Sequence, residues 1–225
     1  MPRLWRVDLH THTCYSPDSL SAPEALIAAA RRRGLDKIAV TDHGTIRGAL
    51  RLRELAPDLV IVGQEIKTTA GELIAYFVSE ELPQGLSPAE AIRRLRRQGA
   101  VIGVSHPLDR LRREAMGLEA LLSLLGQIDC LETFNARVLL PADNHRAALL
   151  AAQHGLPATA GSDSHHISEV GRAYVELPPF SDAGSFLESL RRGRVGGKLS
   201  GPLVHFLSTY AKLRRRSATR TELDS

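Results

Sequence analysis

Apolar positions along this chain follow two alternating rhythms. Short runs rich in Val, Ile, Leu and Ala cover residues 4–12, 36–43, 58–66, 72–78, 100–106, 128–135, 157–165 and 171–177, and read as strands. Between them, residues 21–34, 45–55, 87–99, 117–125, 141–155 and 182–193 read as helices. Ser21 with Glu24 and Ser87 with Glu90 have capping-box spacing, and Gly34, Gly99 and Gly155 stand where helices stop. Strand-then-helix alternation predicts a parallel α/β architecture. About seven such units favour a closed or nearly closed barrel over an open nucleotide-binding sheet. No GxGxxG or P-loop sequence occurs, and there is no internal repeat. The barrel is expected over residues 1–200, with residues 201–225 forming a terminal helix and a polar, flexible end.

Composition narrows the class. The chain has 225 residues, 43% hydrophobic and 24% charged, which suits one soluble domain with a real core. No apolar run approaches the roughly 20 residues that span a bilayer. The opening "MPRLWRVDL" lacks a signal peptide's long apolar segment, so a cytoplasmic location and no membrane partner are expected. Two cysteines, Cys14 and Cys130, make no disulfide framework. The net charge of +4 comes mostly from arginines in helical runs without interleaved aromatics, a pattern of solvated faces that does not favour nucleic-acid binding.

Ligand-type residues collect at strand ends. His10 and His12 end the first strand, Asp42 and His43 the second, Glu65 the third, His106 the run 100–106, and Asp163 and His165 the run 157–165. In a β/α barrel these ends share one face, where active sites are built. His10 and His12 are two apart and point the same way on a strand, with Asp8 expected on that face one step deeper. Imidazoles and carboxylates converging without cysteine predict a divalent metal site for zinc, manganese or iron. Asp8 and Asp42 are candidate partners orienting ligand imidazoles. Arg137, which follows a strand, and Arg172 in "VGRAY" are candidate phosphate-binding groups. His145, His154 and His205 lie away from strand ends and read as surface or packing residues.

The segments "DLHTHTCYSPDS", "TDHGT", "GQEI", "SHP" and "GSDSH", in that order, resemble the motifs of the PHP (polymerase and histidinol phosphatase) family from about Arg6 to Gly201. The resemblance implies a distorted seven-stranded (β/α)7 TIM-like barrel holding two to three divalent ions. Carried over, one ion takes His10, His12, Glu65 and Asp163; a second takes Asp18, His43 and His165; a third takes Glu65, Glu72 and His106. Two positions depart from the family pattern: the acidic residue in "SPDS" comes one place late, and Glu72 stands where histidine is common. The implied activity is hydrolysis of a small phosphate ester or nucleotide by a metal-bridging hydroxide, with His165, His166 or Asp18 assisting protonation of the leaving oxygen. Two alternatives stay open: a nuclease acting on short nucleic-acid ends, and an amidohydrolase acting on C–N bonds, in which Lys67 could be the bridging lysine.

Overall fold

A computed structural model describes residues 3–201 together with Val204, Ser208 and Thr209. The rest of the expected terminal helix and tail, His205 included, lies outside the described residues. The elements run β1 (Trp5–Thr11), α1 (Pro23–Arg32), β2 (Lys37–Val40), α2 (Arg47–Leu55), β3 (Val60–Thr68), β4 (Gly71–Tyr76), α3 (Pro88–Arg97), β5 (Val101–Val104), α4 (Leu118–Leu124), β6 (Cys130–Asn135), α5 (Pro141–Gln153), β7 (Ala158–Gly161), β8 (Ala173–Leu177), α6 (Ala183–Leu190) and β9 (Arg194–Gly197). No helix among the described residues is long and apolar enough to cross a membrane.

Helix starts follow side-chain chemistry only in part. Ser87 accepts a hydrogen bond from the Glu90 amide and caps α3 as its spacing predicts. The Ser21 box does not form: the N-cap of α1 is Ala22, with Pro23 opening the first turn, and the Ser21 hydroxyl turns to the His165 carbonyl, 3.4 Å away. The reciprocal box belongs instead to Asp182 and Ser185 at α6.

One sheet runs β7-β6-β5-β4-β3-β2-β1-β8-β9. Strands β1, β2 and β3 are mutually parallel, as are β5, β6 and β7, but β4 is antiparallel to both of its neighbours. The short β3–β4 connection leaves no room for a crossover helix, and this hairpin is what distorts the barrel. The ring closes between β7 and β1: the Asp163 amide donates to the His10 carbonyl at 2.8 Å, and the His12 amide to the Ser164 carbonyl at 2.9 Å. Seven strands thus form the barrel expected from the sequence. β8 and β9 are additional: β8 pairs antiparallel along the first half of β1 through Trp5, Arg6 and Val7, and β9 pairs antiparallel with β8.

Apolar side chains form two layers. Between sheet and helices, Ile38, Val40, Val62, Ile102 and Leu131 pack on Leu26, Leu52, Leu95 and Leu150. Inside the barrel, Val7, Leu9, Ala39, Ile61, Ile74 and Tyr76 form the second layer, reached from below by Phe180 and Phe186. The inner layer therefore fills the floor and leaves the C-terminal strand ends to polar groups.

A bulge corrects one expectation. Pairing shifts between Asp8 and Thr11, so β1 carries an extra residue there. Val7 and Leu9 face the inner core, yet His10 and His12 also turn inward, because the extra residue reverses the alternation. Asp8 is thereby separated from the imidazoles. It accepts from the Ser162 amide and hydroxyl (2.9 and 2.6 Å) and from the Gly171 amide (2.8 Å), tying β1 to the end of β7 and the start of β8. Burial lifts its carboxyl to about 6 although these bonds oppose the rise.

Gly161 makes the closure possible. A Cβ there would lie 2.1 Å from the Cβ of His10, on rigid backbone at the β1–β7 seam. Gly161→Ala is therefore expected to cost about 1–3 kcal/mol of stability. Urea unfolding followed by circular dichroism reads this directly, and an unchanged midpoint would contradict the tight seam.

Candidate metal centre

At the barrel mouth the strand ends bring His10, His12, His43, Glu65, Glu72, His106, Asp163, His165 and Asp18 into one cluster. All are buried except His43, which is partly exposed. Glu65 sits at its centre. Its Oε2 lies 3.1 Å from His10 Nε2, 3.4 Å from His12 Nε2 and 3.4 Å from His43 Nδ1, while its Oε1 lies 3.0 Å from His106 Nε2. Asp163 Oδ1 is 3.7 and 3.4 Å from the same two Nε2 atoms, which are 3.1 Å from each other. A tetrahedral ion with bonds of about 2.0–2.1 Å has ligand atoms about 3.3–3.4 Å apart. The measured separations scatter about that value, so His10, His12, Glu65 and Asp163 fit around a single cation.

The remaining groups continue outward. Asp18 spans His43 Nε2 at 3.6 Å and His165 Nε2 at 3.3 Å through its two oxygens. Glu72 reaches His43 Nδ1 at 3.8 Å and His106 Nε2 at 3.5 Å. Three sets have donor atoms within 4.8 Å of one another: His10, His12 and Asp163; His12, His43 and His165; His43, Glu65 and Glu72. They overlap the three ligand groups expected from the resemblance, with His12 and His43 each shared more widely.

Charge and burial point the same way. Burial disfavours a charged His12, yet Asp163 and Glu65 lift its pKa to about 9. Glu65, Glu132 and Asp163 likewise raise His10 well above the usual imidazole range against burial. Burial and the neighbouring Glu65 carboxylate push Glu72 well upward. This corner attracts positive charge, which a divalent cation supplies. On the other side, burial holds His165 down to about 4 and lowers His43, keeping both imidazoles in the neutral form that binds metal. Asp163 Oδ1 is fully buried and accepts no well-aligned hydrogen bond among the described residues, as a carboxylate oxygen reserved for a cation would.

The backbone is bent to reach this arrangement. His106 and Asp163 have φ of 28° and 52°, in the left-handed region that side-chain-bearing residues avoid. Glu132, unremarked in the sequence, helps hold both bends. Its Oε1 accepts from His10 Nδ1 at 3.0 Å, and its Oε2 accepts from the His106 amide at 2.6 Å and from Asn135 Nδ2 at 3.0 Å. Asn135 Nδ2 also donates to Asp163 Oδ2 at 3.2 Å. Inward parity on β6 was the available sign of Glu132. The Ser16 hydroxyl lies 3.1 Å from His12 Nδ1, and the Asp163 carbonyl accepts from His165 Nδ1 at 2.8 Å. These partners leave the Nε2 atoms of His10, His12 and His165 as the free ligand lone pairs. Asp42 does not orient His43 as expected; it accepts from the Thr13 amide and hydroxyl at 2.7 and 2.6 Å.

Above the cluster lies a cavity of about 590 Å³. Arg112, also missed in the sequence, lines it and donates to Asp163 Oδ2 at 2.7 Å. Its signal was its place in the loop after His106, masked by the many arginines of this chain. Three expected site residues stand elsewhere or are otherwise engaged. His166 is exposed, its Nδ1 2.8 Å from the Ser168 hydroxyl. Arg172 is exposed on the outside, donating to the Leu199 carbonyl at 3.3 Å, and does not line the cavity. Arg137 borders the cavity but is only 3% exposed, with partners inside the protein. His145 and His154 are exposed as expected.

Residues 8–167 match the sequence profile of the PHP domain, and residues 141–195 match that of a PHP-associated family. Two uncharacterised proteins of Methanocaldococcus jannaschii are similar. One is 36% identical over 144 residues, covering 58% of this chain and 82% of that protein. The other is 34% identical over 175 residues, covering 76% and 70%. Among solved structures, a candidate metal-dependent phosphoesterase from Bifidobacterium adolescentis superimposes with a TM-score of 0.62 at 19% identity, over 84% of this chain and 96% of that one. An amidohydrolase from Chromobacterium violaceum, solved with bound sulfate and no metal, gives 0.64 at 18% identity, over 82% and 96%. At these identities the two structures establish a shared fold.

Because Glu132 orients one imidazole and fixes the backbone of another, Glu132→Ala is expected to weaken metal affinity about 10–100-fold. Competition with a chromophoric chelator measures this, and wild-type affinity in the folded variant would remove Glu132 from the supporting role.

Proposed function

The chain belongs to the PHP domain family, and we propose that it is a metal-dependent phosphoesterase acting on a small phosphate ester or nucleotide. The observation that carries this reading is the cluster of Glu65, Asp163, His10 and His12 at tetrahedral-ligand spacing, beneath a cavity lined by Arg112. Two to three divalent ions, zinc, manganese or iron, would be held by His10, His12, Asp18, His43, Glu65, Glu72, His106, Asp163 and His165. Bound there, they supply Lewis-acid polarisation of a phosphoryl oxygen and acidify water.

The protein's own groups complete the site. Arg112 keeps one face toward the cavity while bonded to Asp163, and a guanidinium matches two phosphate oxygens at once. Lys67 and Arg113 add positive charge at the rim. Asp18 and His165, expected to aid proton transfer, are committed to the cluster through their 3.3 Å contact. His166, facing solvent, is left out of the reaction.

The amidohydrolase alternative needs a lysine bridging two ions. Lys67 is exposed and paired with Glu114 at 3.3 Å, whereas Glu65, with one oxygen toward His10, His12 and His43 and the other toward His106, is the residue that would be shared between ions. The relative solved as an amidohydrolase shares the fold with this chain.

A panel of phosphomonoesters, phosphodiesters, nucleotides and amides, assayed with zinc-, manganese- and iron-loaded protein, tests the reading. Phosphoester turnover is expected to vanish on chelation and return on reconstitution, with at least two metal equivalents bound per chain. Asp163→Asn or His10→Ala should cost orders of magnitude in kcat while the barrel stays folded. Amide hydrolysis alone, or less than one equivalent after reconstitution, would sink the proposal.

Arg112 carries a separate prediction. Arg112→Ala is expected to raise the inhibition constant of inorganic phosphate about 10–100-fold, as loss of a charge-assisted contact of about 1.5–3 kcal/mol requires. Steady-state inhibition reads it, and an unaltered constant would return Arg112 to the support of Asp163 alone.

A further inference from the structure

Arg137 raises a question that the metal cluster does not answer. A guanidinium buried to 3% exposure is costly unless its charge and donors are met. Here they are met from three directions. Nε lies 3.7 Å from Glu169 Oε2. Nη1 donates to the Asp163 carbonyl at 3.4 Å. Nη2 donates to the Val204 carbonyl at 3.2 Å and to the Ser208 hydroxyl at 2.7 Å. The first two directions belong to the metal face: Asp163 is in the cluster, and Glu169 Oε1 accepts from the amides of His165 and His166 at 3.3 and 3.0 Å. The third belongs to chain that follows the last strand of the sheet.

That chain is led to this spot. After β9, the Ser200 amide donates to the Ala136 carbonyl at 2.6 Å, next to Arg137. Val204 and Ser208 both meet the same guanidinium, one through its main-chain carbonyl and the other through its hydroxyl. Ser208 lines the same cavity as Asp18, His43, Glu72 and Arg112.

We propose that Arg137 is a positioning residue that fastens Val204 and Ser208 onto the metal face, and that Ser208 so placed sets the size of leaving group the cavity admits. The size limit rests on the phosphoesterase reading; the fastening does not. Arg137 differs in this from Arg112: its donors are directed at the protein, and its effect on the cavity passes through the wall it holds.

Two measurements on the full-length, metal-loaded protein test this. The first is amide hydrogen exchange of the peptide containing Val204 and Ser208. Arg137→Gln is expected to speed its exchange at least tenfold, with Arg137→Lys intermediate and the β3 peptide unmoved as a control on folding. Wild-type exchange in Arg137→Gln overturns the fastening. The second compares kcat/KM for 1-naphthyl phosphate and methyl phosphate. Ser208→Trp is expected to lower the ratio of the larger ester to the smaller about tenfold, with Ser208→Leu as the substitute if the tryptophan variant fails to fold. An equal change for both esters overturns the size role. If wild-type protein cleaves neither ester, the phosphoesterase reading has failed and takes the size role with it, while the exchange experiment still decides the fastening.

Discussion

Four carboxylates, Asp18, Glu65, Glu72 and Asp163, are buried together at one end of a barrel, and the rest of the structure answers to that constraint. Removing even one anion from water costs several kcal/mol unless it is paired. Arg112 meets Asp163 at 2.7 Å, but Glu72 is met among the described residues only by His43 and His106 at 3.8 and 3.5 Å, and is driven upward by burial and by Glu65. The carboxylates in turn raise the His10 and His12 imidazoles above their usual range against the effect of burial. Divalent cations supply the compensating charge, and their ligands are already spaced to receive them. The cluster is thus poorly suited to being a neutral core and well suited to holding metal.

Placing so many short side chains at one point requires backbone that a regular strand does not provide. The β1 bulge turns His10 and His12 inward beyond an apolar floor. The pairing of β6 with β7 also shifts between Glu132 and Phe134, next to the residue that braces His10 and His106. His106 and Asp163 accept unfavourable φ angles. Such strain persists only where surrounding contacts over-determine it, and Glu132, Asn135 and Arg112 are the contacts that do so here.

The alternation of strands and helices was legible because each element buries a face with its own period, and the strand ends with their imidazoles and carboxylates could be read off directly. What escaped was whatever depends on contacts between distant parts of the chain. A period-two argument placed Asp8 beside His10, but pairing with β2 inserts a residue that no local pattern reveals. Asp42 looked like a partner for His43 by adjacency, whereas its carboxylate is taken by Thr13. Among many arginines, position after a strand pointed to Arg137, and the "VGRAY" stretch to Arg172. Only the fold distinguishes Arg112 in the cavity, Arg137 buried against the C-terminal segment, and Arg172 outside.

Asp163 shows why fold and site cannot be separated here. Its amide donates to the His10 carbonyl and so helps close the barrel, while one carboxylate oxygen faces His10 and His12. The other oxygen is held by Arg112 and Asn135, and its carbonyl is met by Arg137 and by His165 Nδ1. Its amide, its carbonyl and Oδ2 therefore tie β1, the Arg112 loop, β6 and the Arg137 side chain to the same point, while Oδ1 faces the ligand imidazoles. Gly161, two residues earlier, lets β7 approach β1 closely enough for those bonds to form. The ligand positions exist only when that seam is shut. Closing the barrel and assembling the centre are one structural event, and the energy that stabilises the closed seam also holds the ligands in place before a cation arrives.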